Sequence, residues 1–240
     1  MTKISERIKR VKDTINSACA RTGRDPQRIK LVVVTKSTDI EGIQKVIQHG
    51  HTELGENRVQ RLRKISAQVD DILQQRGNNS GAPKKISWHM IGSLQRNKVR
   101  YVLPIASLIH SVDSLRLAEE ISVSASKLNL KPRVLLQINT SKEPQKYGVP
   151  VGAAMHLAEQ METLPNLQLA GLMTMAPLTR DKDVVRSCFV RAREIFEEMR
   201  GEKAVGPHFT ELSMGMSSDY EIAVEEGATI LRIGSAIFAG

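Results

Sequence analysis

The stretch ELSMGMSSDYEIAVEEGATILRIGSAIF, residues 211–238, decides the fold class of this chain. Its apolar runs predict two short strands, HFTELSM (208–214) and TILRIG (229–234). The segment between them, which contains Ile222 and Val224, has the periodicity of a helix. A strand, a helix and a second strand in this order are typical of parallel β-structure, in which a helix connects neighbouring strands.

The rest of the chain repeats this unit. Six further segments predict strands: LVVVT (31–35), HTELG (51–55), ISWHMI (86–91), SLIHSV (107–112), RVLLQIN (133–139) and LQLAGLMTM (167–175). Amphipathic helical segments lie between them, and one more helix, from about Ile4 to Cys19, precedes the first strand and can supply a barrel helix. In 240 residues, this alternation predicts an α/β fold with a single (β/α)₈ TIM barrel over residues 1–240. An open doubly wound sheet is less favoured, since no Gly-x-Gly-x-x-Gly follows the first strand.

Composition restricts the classes of function. With 40% hydrophobic and 25% charged residues the chain is typical of a globular protein. Cys19 and Cys188 both lie in helical patterns, which favours a reducing compartment over a disulfide framework. The N-terminal segment lacks the apolar core of an export signal, and no apolar run is long enough to cross a membrane. We therefore expect a cytoplasmic protein that is not attached to a membrane.

The net charge of +9 raises the question of a nucleic-acid partner. The basic residues are dispersed, and no stacking aromatic side chains lie among them. Dispersed positive charge gives only salt-sensitive, non-specific attraction, so the sequence predicts no specific nucleic-acid partner.

Polar residues at the carboxyl ends of the predicted strands are the candidates for function, because that face carries the active site of TIM barrels. Lys36 directly follows the first predicted strand. At the barrel mouth we expect partial desolvation to make its amine a nucleophile toward an aldehyde. A lysine that simply extends its charged end into solvent is the alternative.

Small and hydroxyl residues follow the last two predicted strands. They are Ser213, Gly215, Ser217 and Ser218 after the seventh strand, and Gly234 and Ser235 after the eighth. Such residues let backbone N–H groups and hydroxyls approach a dianion, and these two loops are the usual phosphate site of the barrel. Ordinary turn and capping residues are the alternative. Together with Lys36, they predict a cofactor with an aldehyde at one end and a phosphate at the other.

The chain resembles the pyridoxal phosphate homeostasis protein family, known as YggS or PROSC. The segments that carry the resemblance are VVVTKS (32–37), LGENRVQ (54–60), WHMIGSLQRNK (88–98), HSVDS (110–114), QINTSKEPQKYG (137–148), GLMTM (171–175) and the stretch at 211–238. They cover nearly the whole chain and fall in order at the predicted strand ends. The resemblance implies a barrel like the N-terminal domain of alanine racemase, which binds pyridoxal 5′-phosphate (PLP) as a Schiff base on Lys36.

The resemblance also implies roles for other residues. Ser213, Gly215, Gly234 and Ser235 match the phosphate loops of the family, and Arg232 matches an arginine that faces the pyridine nitrogen. Asn57 and His89 look like pocket residues, although a hydrogen-bonded core histidine is the equal alternative for His89.

The family resemblance implies PLP homeostasis, meaning buffering of PLP or its delivery to PLP-dependent apo-enzymes, and not catalysis. A racemase needs two bases, and in alanine racemases the second is a tyrosine from an additional domain and a partner chain. Tyr101, Tyr147 and Tyr220 are not evident second bases, and a cationic Arg232 beside the pyridine nitrogen weakens PLP as an electron sink. Lacking that additional domain, the protein is expected to be a monomer. A PLP-dependent amino-acid racemase and a cofactor-free lysine Schiff-base aldolase remain the alternatives.

Overall fold

The computed structural model describes residues 3–76, 85–141 and 147–239. Its strands are β1 (Lys30–Val34), β2 (Glu53–Glu56), β3 (Ser87–Met90), β4 (Ala106–Val112), β5 (Arg133–Asn139), β6 (Val149–Pro150), β7 (Gln168–Met173), β8 (Glu211–Ser213) and β9 (Ile230–Ile233). Its α-helices are α1 (Lys3–Thr22), α2 (Ile40–Gln48), α3 (Val59–Arg76), α4 (Val99–Val102), α5 (Leu115–Lys127), α6 (Val151–Glu162), α7 (Lys182–Gly201), α8 (Tyr220–Glu225) and α9 (Ser235–Phe238).

The strands close into a parallel barrel. Around the ring they follow the order β4, β3, β2, β1, β9, β8, β7 and β5, and pairing between β4 and β5 closes it. The two-residue strand β6 pairs with the end of β5 and lies outside the ring. The predicted (β/α)₈ barrel is therefore confirmed.

The helix before the first strand occupies a place in the outer ring, as predicted. α1 packs against α8 and α9, and its buried face includes Ile8, Val11 and Ile15. After α1, the Arg24 guanidinium donates hydrogen bonds to the carbonyls of Val224 and Ala228. Because α8 and α9 are short, α1 covers the side of the barrel near β9 that they leave open.

Apolar residues form two separate clusters, one between strands and helices and a smaller one inside the barrel. The interior cluster consists of Val32, Leu108, Leu135, Ala170, Met173 and Ile230. Each fully buried aliphatic side chain of this size stabilises the fold by about 1.5–3 kcal/mol. Since alternate residues of a strand share one face, the inward positions beside this cluster hold polar groups, including Glu53, His89, His110 and Arg232.

Element boundaries differ from the prediction where packing outside the sheet decides them. The predicted strand HFTELSM is shorter in the structure, because Phe209 leaves the ladder and its ring stacks on Phe196 of α7 with centroids 5.1 Å apart. α4 and α9 were not predicted. Ser114 caps α5, because its hydroxyl accepts a hydrogen bond from the Leu117 amide.

The segment RGNNSGAPKK (76–85), whose Gly, Asn and Ser residues predict a surface loop, lies mostly outside the described residues. Among the helices of the described ranges, none combines the length and apolar character that crossing a membrane requires.

Candidate functional site

The carboxyl ends of the strands surround a cavity of 540 Å³. This volume lies in the range of small-molecule sites, about 300–1,000 Å³. Five of the predicted site residues line it: Lys36, Asn57, Arg232, Gly234 and Ser235. A larger cavity of 1220 Å³ lies beside α7, between Thr140 and Cys188, and none of the predicted site residues lines it. The chemistry of the lining therefore assigns the candidate site to the smaller cavity.

Lys36 lies in a turn directly after β1, and its side chain is exposed. The partial desolvation expected for its amine stays a prediction. What the fold does provide is a fixed turn. The guanidinium of Arg61, on α3, donates hydrogen bonds to the carbonyls of Thr35 (3.0 Å) and Thr38 (2.5 Å), on either side of Lys36.

A buried carboxylate at the end of β2 completes this support. Glu56 Oε1 accepts hydrogen bonds from the Thr35 hydroxyl (2.5 Å) and from Arg61 Nε (3.1 Å). Burial raises the pKa of Glu56, against the opposing effects of Thr35 and Arg61. Its Oε2 atom is buried and has no hydrogen-bond partner among the described residues. Sequence reasoning missed Glu56 and Arg61, although a charged residue in the last position of an apolar strand was a usable signal.

Asn57 lines the cavity wall next to Gly92, which follows β3. A Cβ atom on Gly92 would lie 2.2 Å from the carbonyl oxygen of Asn57, so only glycine fits there. The Ser111 hydroxyl donates a 2.6 Å hydrogen bond to the Gly92 carbonyl. This close approach fixes the ends of β2 and β3 against each other beside Lys36.

Arg232 lies at the floor of the cavity and is buried, with 4% of its surface exposed. Its Nη1 donates to Ser213 Oγ (2.6 Å) and its Nη2 to the Thr174 carbonyl (2.9 Å). Burial lowers the pKa of Arg232 to about 10, and the nearby Asp219 carboxylate opposes that effect. A pKa of about 10 keeps the guanidinium charged at neutral pH.

Ser213 and Gly215 are not among the residues that line the cavity, so their place in a phosphate loop stays a prediction. Ser213 is the last residue of β8, and its fully buried hydroxyl contacts Arg232 and His110. Gly215 has a φ of +90°, and a Cβ atom there would lie 2.5 Å from the Ala223 side chain. Because the side chain of Ser213 points into the barrel, the residues that face the cavity come later in this loop.

Ser217 and Ser218, in the loop after β8, line the cavity. Ser217 Oγ accepts hydrogen bonds from the backbone N–H groups of Gly234 (3.3 Å) and Ala236 (3.1 Å). This contact joins the loops that follow β8 and β9, so hydroxyls and backbone donors are concentrated on one wall. Such a wall is suited to an anion.

His89 is buried inside the barrel and is not among the residues that line the cavity. Its Nε2 is 2.6 Å from Glu53 Oε2 and its Nδ1 is 2.8 Å from His110 Nε2. The structure thus supports the core alternative for this residue. Burial lowers the pKa of both histidines, so both are neutral at pH 7.

The arrangement offers an amine on one side, hydroxyl and amide donors on another, and a fixed cation below. An exposed amine condenses with a carbonyl compound, while the donors bind an anion. Tyr147 also lines the cavity, with 65% of its surface exposed. From the sequence this tyrosine is not an evident second base, and its proximity to the cavity is a finding of the structure.

Comparison with known proteins identifies the family. Residues 9–240 match the family described as Alanine racemase, N-terminal domain. A protein of Aquifex aeolicus named Pyridoxal phosphate homeostasis protein is 39% identical over 234 residues, which cover 97% of this chain and 96% of that protein. A crystal structure of a protein from Bifidobacterium adolescentis is 36% identical, with a TM-score of 0.91 and coverage of 98% of this chain and 94% of the other.

A further solved structure, PipY of Synechococcus elongatus with PLP bound, is 31% identical to this chain. It has a TM-score of 0.78 and covers 94% of this chain and 100% of its own. The match over nearly the full length, both to the relatives and to the domain family, shows that this chain belongs to the pyridoxal phosphate homeostasis protein family.

Proposed function

We propose that this chain binds PLP as a Schiff base on Lys36 and takes part in intracellular PLP homeostasis. The observation that carries the proposal is one cavity with the Lys36 amine on one side, the serines 217, 218 and 235 on another and the Arg232 guanidinium at its floor. PLP presents an aldehyde, a phosphate and a pyridine nitrogen. Each of these groups has a chemically matched partner in the cavity.

Lys36 supplies the covalent attachment. Its neutral amine attacks the aldehyde carbon, a C=N bond forms, and the carbonyl oxygen leaves as water. The turn that carries Lys36 is held by Arg61 and Glu56, so its backbone does not have to become ordered on binding. The bound cofactor can supply an electron sink for reactions of amines.

The serine wall and Arg232 supply recognition of the other two groups. The hydroxyls of Ser217, Ser218 and Ser235 can donate hydrogen bonds to a phosphate. Arg232 donates hydrogen bonds and accepts none, so it can face an unprotonated pyridine nitrogen. It cannot stabilise the protonated ring that most PLP chemistry uses, which supports a carrier over an enzyme.

The racemase alternative rests on Tyr147, because a racemase needs a second base at the cavity. Its side chain is 65% exposed, so its position in the cavity wall is open to solvent. The Aquifex aeolicus relative is named for homeostasis and not for a reaction. We accordingly propose a non-enzymatic carrier, present in the cytoplasm as a single-domain monomer that passes PLP to apo-enzymes.

A visible absorption spectrum tests the proposal. The purified chain mixed with PLP should develop the band of a protein-bound Schiff base, and borohydride should remove that band. Lys36→Ala should show neither effect, while Lys45→Ala, on the outer helix α2, serves as the matched control and should behave like wild type. A Lys36→Ala variant with an unchanged band would refute the assignment. A borohydride-trapped carbonyl substrate in PLP-free protein would instead support the aldolase alternative.

A further inference from the structure

A continuous series of hydrogen bonds crosses the barrel interior from Glu53 to Arg232. Glu53 Oε2 lies 2.6 Å from His89 Nε2, and His89 Nδ1 lies 2.8 Å from His110 Nε2. His110 Nδ1 lies 2.9 Å from Ser213 Oγ, which lies 2.6 Å from Arg232 Nη1. Three of these side chains, His89, His110 and Ser213, expose 1% of their surface or less. The series joins the amino-terminal end of the barrel to the cavity floor at the other end.

The chemistry of the two ends determines every donor in the series. A carboxylate only accepts and a guanidinium only donates. His89 therefore donates from Nε2 to Glu53, which leaves its Nδ1 to accept from His110 when the ring is neutral. His110 then carries its proton on Nε2, and its Nδ1 accepts from the Ser213 hydroxyl. Ser213 Oγ in turn accepts from Arg232.

We propose that these five residues form a directional hydrogen-bond relay in which Glu53, His89, His110 and Ser213 act as positioning residues for Arg232. That Arg232 faces a group of PLP rests on the proposed function. The arrangement of the relay does not depend on it.

The relay has a specific effect on Ser213. Because its only hydroxyl hydrogen points to His110, the Oγ lone pairs remain available to Arg232. With Nη2 held by the Thr174 carbonyl, the guanidinium plane is fixed at two nitrogens. Hydrogen bonds in series polarise one another, so the negative charge of Glu53 strengthens each step as far as Arg232.

A neighbouring carboxylate provides a matched control. Glu211 starts β8 at the same end of the barrel, where its Oε1 accepts from Lys30 (3.2 Å) and Arg133 (2.9 Å). Glu211 is a carboxylate at the same end of the barrel as Glu53, but its hydrogen bonds go to Lys30, Arg133 and Thr229 and not to His89 or His110. Glu211→Gln therefore repeats the chemical change outside the relay.

Histidine tautomers test the relay without PLP. In long-range ¹⁵N–¹H spectra of the imidazoles at neutral pH, the relay requires His89 and His110 to be neutral and protonated on Nε2. In Glu53→Leu the acceptor for His89 is lost, and a population protonated on Nδ1 should appear. Glu53→Gln retains an accepting oxygen and should keep the wild-type tautomers. An imidazolium, or an Nδ1-protonated ring in the wild type, would overturn the relay.

The positioning role is tested by PLP affinity and by the visible spectrum of the holoprotein. Glu53→Leu should weaken PLP binding by about threefold to tenfold, the effect of one lost hydrogen bond, and should shift the visible band. Glu53→Gln should fall between Glu53→Leu and wild type, and Glu211→Gln should stay within about twofold of wild type. Equal effects of Glu53→Leu and Glu211→Gln would overturn the positioning role. Absence of the visible band in the wild type, with the predicted tautomers present, would overturn the proposed function and not the relay.

Discussion

Arg61→Ala should destabilise the protein and disturb the turn that carries Lys36. The Arg61 side chain makes the hydrogen bonds that hold Thr35 and Thr38, and it neutralises Glu56. Without the Arg61 side chain, the buried Glu56 carboxylate keeps the Thr35 hydroxyl but loses its guanidinium donor. Two backbone carbonyls beside Lys36 lose their side-chain donor at the same time.

The magnitude follows from the burial of the pair. Breaking a buried ion pair by removing one partner costs about 3–5 kcal/mol. Arg61 is 30% exposed and water can replace part of its contacts, so we expect the lower end, about 3 kcal/mol. In a chain of 240 residues this corresponds to a fall in Tm of about 6–12 °C.

The assay is thermal unfolding followed by circular dichroism, together with the rate at which the visible PLP band develops. Arg58→Ala is the matched control, since Arg58 is exposed and lies one turn before Arg61. It should change stability by no more than about 0.5 kcal/mol. Arg61→Lys should recover part of the loss, because an ammonium keeps the charge without the planar fork. If Arg61→Ala and Arg58→Ala have equal Tm values and form the PLP band at the wild-type rate, Arg61 does not stabilise the turn that carries Lys36.

Three further predictions concern catalysis, the serine wall and acid stability. Holoprotein incubated with L- and D-alanine in deuterated water should lose no α-proton at an enzymatic rate, of about one per second or faster; multiple turnovers that Tyr147→Phe abolishes would establish the racemase alternative. Ser235→Glu should weaken PLP binding without lowering Tm, because Ser235 is exposed on the cavity wall and the new charge repels a phosphate; unchanged affinity would mean that the phosphate binds elsewhere. Hydrogen bonds from Arg186 and Arg21 lower the pKa of Glu225 below its ordinary value of 4.5. The ionised Glu225 therefore stabilises the fold above pH 4.5, and this stabilisation is lost as the pH falls through the lowered pKa. Arg186→Ala should therefore lower Tm more at pH 7 than at pH 3, and an equal loss at both would contradict this.

The fold could be predicted because periodicity carries it. Eight β-branched segments alternate with amphipathic helices, and RVLLQIN at 133–139 matches β5 residue for residue. Strand ends were less predictable where an apolar side chain can pack either in the sheet or against a helix. Phe209, for example, packs on Phe196 of α7. α9, a single turn after β9, has no periodic signal long enough to recognise.

The site was predicted in part. Lys36, Asn57, Arg232, Gly234 and Ser235 follow strand ends, and the topology alone brings them to one cavity. The contacts of the Ser213 hydroxyl with His110 and Arg232 could not be predicted from the loop sequence. Successive residues of a strand face the barrel interior and the helices in turn. Whether Ser213 faces inward depends on how β8 is placed in the barrel.

The hydrogen-bond relay could not be predicted from one sequence, because its members lie on strands that are far apart in the chain. Glu53, His110 and Ser213 are inward residues of β2, β4 and β8, and their contacts depend on how the barrel closes. A polar residue in an apolar strand signals a buried partner but does not say which strand supplies it.

The most direct test of the central claim is the location of the covalent bond. Holoprotein is reduced with borohydride, digested, and mapped by mass spectrometry, with Lys36→Ala carried through the same steps. We expect a reduced pyridoxyl group on the peptide containing Lys36 and none in the variant. A pyridoxyl group on another lysine, with Lys36 unmodified in the wild type, would contradict it.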